Sequence, residues 1–201
     1  MDNSYQKIIV KRIDDFEDGY VFTAYDFLDI TEYETINKVL SRLYESNYIR
    51  RIIKGVYDKP IYSKLLDEYS LYNIEKVADA FARKFNWNIA PSGDTALNKL
   101  GLSNQISNEY IYISDGPYRE YEIGNYKLLF KHAANKEISG LSYITILVIQ
   151  ALKTIGRNKV LNRDIKILKS KLSIKEKEII RLEGMKCSSW IYKTIKEISN
   201  D

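Results

Sequence analysis

Three cations stand within five positions of the sequence, at Arg50, Arg51 and Lys54. They lie in or between two β-prone runs, residues 48–53 and 56–57, which a Lys-Gly pair separates. Glycine readily adopts the positive φ that a tight hairpin turn needs, so the segment is expected to form a β-hairpin. Cations on such a hairpin can bind phosphate groups of a nucleic acid.

The alternation of side chains along a strand ranks the two arginines. Ile49 and Ile53 alternate with Arg50, so Arg51 falls on the isoleucine side of the strand. Arg50 is therefore predicted to be the stronger phosphate contact.

A helix over residues 32–46 is expected to precede the hairpin. Thr31 and Glu34 have the spacing of a capping box, in which each side chain accepts from the other residue's backbone N–H. Apolar residues recur at helical spacing and define a predicted core face. That face consists of Tyr33, Ile36, Val39, Leu40, Leu43 and Tyr44.

Together with two shorter helices before it, this order predicts a winged helix-turn-helix in residues 1–65. If it binds DNA, the capped helix would enter the major groove and the hairpin would contact phosphates or the minor groove. The predicted DNA-binding residues are Thr31, Glu34, Thr35, Lys38, Ser41, Arg42, Arg50, Arg51 and Lys54.

The charge of this segment favours an alternative. Residues 1–65 carry 10 basic and 11 acidic side chains, so they are almost neutral. A winged helix that binds another protein, with a solvated basic hairpin, is the competing interpretation. DNA binding is preferred because the three hairpin cations are clustered, whereas several acids occupy a separate loop at residues 14–18.

Catalytic chemistry finds little support. His132 is the sole histidine, and no serine or cysteine nucleophile pattern accompanies it. Asp94 and Asp115 could hint at metal-assisted phosphoryl chemistry, but they are better explained as a helix N-cap and a turn residue. No enzyme activity, cofactor or metal site is therefore expected.

The remaining chain, residues 66–201, is predicted to be a second, mixed domain. Its first part, residues 74–135, should contain a small antiparallel sheet, and residues 140–201 should form a helical bundle. The expected class is thus α+β. The predicted helices cover residues 74–85, 141–155, 161–171, 174–183 and 187–199, and a three-stranded meander covers residues 109–114, 118–123 and 126–131.

Residues 141–201 carry 13 basic and 6 acidic side chains, an excess of seven positive charges. This excess could be an ordinary solvated surface or a patch that grips nucleic acid or an acidic partner. The candidate secondary surface comprises Lys153, Arg157, Lys159, Arg163, Lys166 and Lys169.

The sequence also indicates a location. The longest apolar run, residues 141–152, is too short to span a bilayer, and the N-terminal residues lack a signal-peptide core. A single cysteine, Cys187, suits a reducing compartment. A cytoplasmic protein without membrane contact is expected.

Three segments resemble one known family. They are "YIRRIIKGVYDKP", "VADAFARKFNWNIAPSGDTALNKLGLSNQ" and "YIYISDGPYREYEIGNYKLLFKHA". Between about residues 5 and 155 the chain resembles the AbiEi-type antitoxins of bacterial type IV toxin–antitoxin systems. The second segment is the most specific, because many winged helices share the first.

The resemblance implies two activities. The N-terminal winged helix would bind inverted repeats in operator DNA and repress its own operon. The C-terminal domain would contribute to repression and antagonise a cognate nucleotidyltransferase-like toxin. Mapped onto this chain, the implied DNA-reading positions are those of the helix 32–46 and of Arg50, Arg51 and Lys54.

Overall fold

The computed structural model describes residues 3–65, 67–134 and 138–200. The chain divides into two compact units, Met1–Trp87 and Asn88–Asp201. This boundary lies later than the predicted one after residue 65. The reason is that the helix at residues 74–85 packs against a strand and a short helix of the first unit.

The first unit combines helices with short antiparallel strands. Its elements are α1 (Asn3–Asp15), β1 (Val21–Phe22), a 3₁₀ helix (Ala24–Phe27), α2 (Tyr33–Glu45), β2 (Arg50–Ile53), β3 (Val56–Asp58), β4 (Tyr62–Ser63), β5 (Glu68–Tyr69) and α3 (Ile74–Phe85). Strands β1, β3 and β2 form an antiparallel sheet in that order, and β4 pairs with β5.

Two helix starts in this unit contrast in their caps. At the 3₁₀ helix, the Thr23 hydroxyl accepts from the Tyr25 N–H at 3.2 Å, while Asp26 accepts from the Thr23 N–H at 2.8 Å. Thr23 is therefore the N-cap of the 3₁₀ helix. At α2, the cap residue is Glu32 and its side chain makes no capping hydrogen bond. The predicted capping box of Thr31 and Glu34 is therefore wrong, because the helix starts one residue later and Thr31 lies outside it.

The core of the first unit follows the predicted face of α2 with two exceptions. Tyr33 and Tyr44 were expected inside, yet they are exposed by 46% and 42%. The flank of α2 that carries the two tyrosines is thus open to solvent. The buried cluster consists of Ile9, Ile13, Phe22, Ala24, Phe27, Ile36, Val39, Leu40, Leu43, Ile49 and Tyr57.

The second unit places helices against one mixed sheet. Its elements are β6 (Ile89–Ser92), α4 (Gly93–Lys99), β7 (Glu109–Ser114), β8 (Arg119–Ile123), β9 (Tyr126–His132), α5 (Tyr143–Ile155), α6 (Asn162–Lys171), α7 (Ile174–Glu183), a 3₁₀ turn (Gly184–Lys186) and α8 (Ser189–Ser199). The α+β class and the predicted helical segments are confirmed.

The sheet order is β6-β7-β9-β8, so the predicted meander is wrong. Strands β8 and β9 form the expected antiparallel hairpin, but β9 then pairs with β7 in parallel. The chain crosses from β7 to the far edge of the sheet before it returns through β9. This connection has no local sequence signature, because each strand alone has the same alternation in either arrangement.

Helices α4 to α8 share an apolar core that includes Leu100, Leu152, Leu168 and Ile195. Asp94 lies in the first turn of α4, whose N-cap is Ser92, so the prediction that Asp94 caps this helix is wrong. None of the helices in the described residues is both long and apolar enough to cross a membrane.

Candidate nucleic-acid interface

The hairpin of β2 and β3 turns at Lys54-Gly55, where Gly55 has a φ of +80°. A register shift between Arg51 and Ile53 leaves Ile52 as the extra residue of a bulge. Such a bulge increases the local twist and breaks the alternation of side chains. The ranking of the two arginines by simple alternation therefore loses its basis.

Arg50 is held inside the fold rather than offered to a ligand. Its Nε and Nη2 donate to the two carboxylate oxygens of Asp58 at 3.0 and 2.6 Å, and its Nη1 donates to the Ser70 carbonyl at 2.7 Å. The Asp58 side chain is 2% exposed. The guanidinium also lies 5.5 Å from the centre of the Tyr72 ring.

Arg51 has the opposite environment. It is exposed, and its guanidinium carbon lies 5.9 Å from the centre of the Tyr44 ring. Of the two arginines, Arg51 is thus the one whose guanidinium is exposed, and the prediction that Arg50 is the more available cation is wrong. The segment around Ser70 and Tyr72 partly covers the side of the strand that carries Arg50.

Three other predicted cations, Lys38, Arg42 and Lys54, are exposed and make no ion pair with a described residue. The same helix also exposes acids at Glu34 and Glu45. Ser41, also predicted to contact DNA, donates to Glu45 at 3.2 Å. Thr31 and Thr35 are half-buried.

Sequence reasoning missed the flank of α2 that faces the hairpin. At about 100° per residue, Tyr33, Asn37 and Tyr44 fall within about 40° of one another. Their side chains make no hydrogen bond to a described residue. Tyr33 contacts Tyr25 edge to face at 5.5 Å between ring centres. The tyrosine hydroxyls could have indicated this flank, because a polar group on a predicted core face often lies at the solvent-exposed edge of that face.

Tyr57 joins this flank to the hairpin. It is 8% exposed and pairs with Arg51 across the two strands. Burial raises the pKa of the Tyr57 phenol, the charge of Arg51 opposes that rise, and the neighbouring Tyr33 and Tyr44 add to it. Arg51 thus connects the two elements, since it pairs with Tyr57 in the hairpin and lies over the Tyr44 ring of α2.

The candidate secondary surface of the second unit is dispersed. Arg163 lies 3.4 Å from the carboxylate of Asp164, and Lys169 donates to the Asn200 carbonyl. Arg157 lines a polar pocket of about 420 Å³ together with Lys193 of α8. Lys153 lines a different pocket, of about 330 Å³. Lys159 and Lys166 are exposed.

The residues considered for catalysis serve the fold. Asp115 accepts from the Asn88 N–H and side-chain amide at 2.9 and 2.7 Å. His132 Nδ1 lies 2.9 Å from the Gly116 carbonyl oxygen. Among the residues that the structure describes, no group of three His, Cys, Asp or Glu side chains could hold a metal ion.

A known protein family matches most of the chain. The model of the DUF6088 family, described as a family of unknown function, matches residues 8–180. No curated protein matches the chain.

Proposed function

Since the chain belongs to the DUF6088 family, whose function is unknown, we propose its role from its own residues: it is a DNA-binding antitoxin that represses its own operon. The proposal has two parts, DNA binding by the first unit and toxin antagonism by the second. It assigns binding roles and no catalysis to the protein.

The order of elements in the first unit is the observation that carries the DNA-binding part. A helix precedes β1, the 3₁₀ helix and α2 lie between β1 and β2, and β2 and β3 close the sheet as a hairpin. Winged helix-turn-helix domains have this order, with α2 as the recognition helix and the hairpin as the wing. The exposed Arg51 and Lys54 of the hairpin supply phosphate-binding charge.

Toxin antagonism is supported by the resemblance to AbiEi-type antitoxins. The most specific resembling segment spans α3, β6 and α4, which therefore lie at the junction of the two units in sequence. The proposed partners are inverted repeats of operator DNA and a nucleotidyltransferase-like toxin.

The DNA part is tested by selection from a random-sequence duplex pool, followed by footprinting on the DNA upstream of the coding sequence. Enrichment of an inverted repeat that also occurs upstream is expected. Affinity should fall steeply with salt, because each neutralised phosphate releases counterions. Failure to enrich any sequence would refute the DNA part.

The toxin part is tested by co-expression with a neighbouring nucleotidyltransferase-like reading frame. The expected result is growth arrest by that frame alone and rescue by this chain. Arrest without rescue would refute the antitoxin role.

A winged helix that binds only protein is the second candidate. The exposed Glu34 and Glu45 on the outward face of α2 favour it, because they would repel phosphates. Rescue from the toxin without any footprint would favour this candidate over the first.

A further inference from the structure

The charges on α2 indicate which of its faces could lie against DNA. Its most outward stripe, opposite the buried residues, carries Glu34, Lys38, Ser41 and Glu45. Two acids stand at its two ends, and Ser41 is already bonded to Glu45. A phosphate backbone laid along this stripe would meet a carboxylate at each end.

The flank of α2 beside the hairpin has no acid. Tyr33 and Tyr44 are exposed tyrosines on this flank. The amide side chain of Asn37 lies between them along the helix. Arg51 closes the flank at the Tyr44 end. At the other end, Lys84 lies 5.9 Å from the Tyr25 ring, which contacts Tyr33.

Three acids of the surrounding elements are already paired, whereas Glu32, the exposed N-cap residue of α2, makes no ion pair with a described residue. Asp58 is bound by Arg50, Asp26 by Arg83 and Asp29 by Arg12. The flank is therefore a polar, aromatic surface with a cation at each end, and Asp26, Asp29 and Asp58 around it are compensated, while Glu32 precedes it at the helix start.

Resting on the proposed DNA binding, we propose that this flank is the surface of α2 that faces double-stranded DNA. The hydroxyls of Tyr33 and Tyr44 donate hydrogen bonds to two phosphates. Asn37 lies between them and reads a base edge, for which adenine is the preferred partner of an asparagine amide. Arg51 supplies the charged phosphate contact at the hairpin end.

Neutral and charged phosphate contacts differ in a measurable way. A tyrosine hydroxyl displaces no counterion, so its loss lowers affinity without changing the salt dependence. Loss of Arg51 should reduce the slope of log K against log salt by about one. The two kinds of contact can thus be separated in one titration series.

The experiment measures binding of the full chain to the duplex that the unaltered protein selects from a random pool. The variants are Tyr33→Phe with Tyr44→Phe, Asn37→Ala and Arg51→Gln. Tyr69→Phe is the matched control, because Tyr69 is 59% exposed on β5 and its hydroxyl has no hydrogen-bond partner among the described residues.

Removal of both hydroxyls is expected to weaken binding about tenfold with an unchanged salt slope. Methylphosphonate substitution at the contacted phosphates should weaken the unaltered protein but not this variant. Asn37→Ala should lose the preference at one base pair, and Tyr69→Phe should bind like the unaltered chain.

If the unaltered chain binds its selected duplex, an affinity of the double tyrosine variant within twofold of it would overturn the proposed flank. An unchanged base preference of Asn37→Ala would overturn the reading role. If the unaltered chain selects no duplex at all, the proposed function itself fails, which is a different and distinguishable result.

Discussion

The two units use their acidic side chains differently. In the first unit, acids pair with cations from distant parts of the sequence. In the second unit, three acids accept from the starts of helices: Glu176 binds Ser173, Glu183 binds Ser142, and Asp164 accepts from the Leu161 N–H. Lys127–Glu120 and Arg163–Asp164 are ion pairs between residues close in sequence. The ion pairs of the first unit are Arg12–Asp29, Arg50–Asp58, Lys59–Asp14, Lys76–Glu17 and Arg83–Asp26.

This difference explains why the net charge of a unit does not predict which charged side chains are available for binding on its surface. Pairing in the first unit removes cations from the surface, so an almost neutral segment exposes only a selected few. In the second unit, acids that cap helices are not available to pair with distant cations, and the basic side chains of the candidate secondary surface are scattered. A binding surface depends on which charges remain unpaired and adjacent, rather than on their sum.

Asp58→Ala is expected to have the largest effect on stability. It leaves the Arg50 guanidinium without its bidentate partner in a half-buried site, which should cost roughly 3 kcal/mol of unfolding free energy. Urea unfolding followed by Trp87, in a Trp190→Phe background, reports the first unit.

The double variant Arg50→Met with Asp58→Leu serves as the control, because it removes both charges. It should be more stable than Asp58→Ala alone. Equal stability of the two variants would mean that charge pairing does not explain this part of the fold.

Glu183→Ala should have a smaller effect, confined to the second unit. Glu183 accepts from the N–H and hydroxyl of Ser142 at 2.9 and 2.7 Å, and Ser142 is the N-cap of α5. Loss of both bonds should cost about 1–2 kcal/mol. Trp190 fluorescence in a Trp87→Phe background measures it.

Glu183→Gln keeps an acceptor oxygen and should retain part of that stability. If Glu183→Gln and Glu183→Ala lose the same stability, the acceptor role is refuted. If high salt increased the loss of stability in Glu183→Ala, that result would also contradict the difference drawn between the acids of the two units.

Glu176 should make the second unit sensitive to acid. Hydrogen bonds from the Ser173 N–H and hydroxyl lower the pKa of the Glu176 carboxyl below its ordinary value. A carboxyl with a lowered folded-state pKa adds stability above its unfolded pKa of about 4.3. That stability is lost as the pH falls through the folded-state pKa.

Urea midpoints of the second unit, measured from pH 6 down to about pH 3, test this effect. Glu176→Gln should flatten the decline, while Glu178→Gln, which alters an exposed acid on the same helix, should not. If the urea midpoint of Glu176→Gln fell with pH as steeply as that of the unaltered chain, other carboxyl groups would be responsible for the acid sensitivity.

Arg51→Gln should have the smallest effect on stability, within about 0.5 kcal/mol, because the side chain is exposed. Its unfolding midpoint should match that of the unaltered chain, in contrast to Asp58→Ala. A large destabilisation would mean that Arg51, like Arg50, is a structural residue.

Local sequence patterns predicted much of this fold. Helix α3 was predicted with its observed bounds, because its apolar spacing is regular and Asn73 caps it. The hairpin was predicted because the Lys-Gly pair stands between two β-prone runs. The start of α2 was missed by one residue, which was enough to invalidate a proposed cap.

Predictions that depend on distant residues failed. Arg50 contacts Asp58, Ser70 and Tyr72. The sequence around Arg50 does not indicate that Ser70 and Tyr72 lie beside it. The parallel pairing of β7 with β9 likewise depends on where the chain crosses the sheet. In the candidate interface, the sequence showed which residues are cations. It did not show which cations are bound within the fold and which are exposed.

The position of β9 in its sheet also bears on biosynthesis. This strand lies between β7 and β8, although it is the last of the four to be made. The first unit can begin to fold once Trp87 has left the ribosome, as N-terminal domains generally do. The second unit cannot complete its sheet until His132 has emerged, so β7 can pair with β6 during translation but waits for β9 along its other edge.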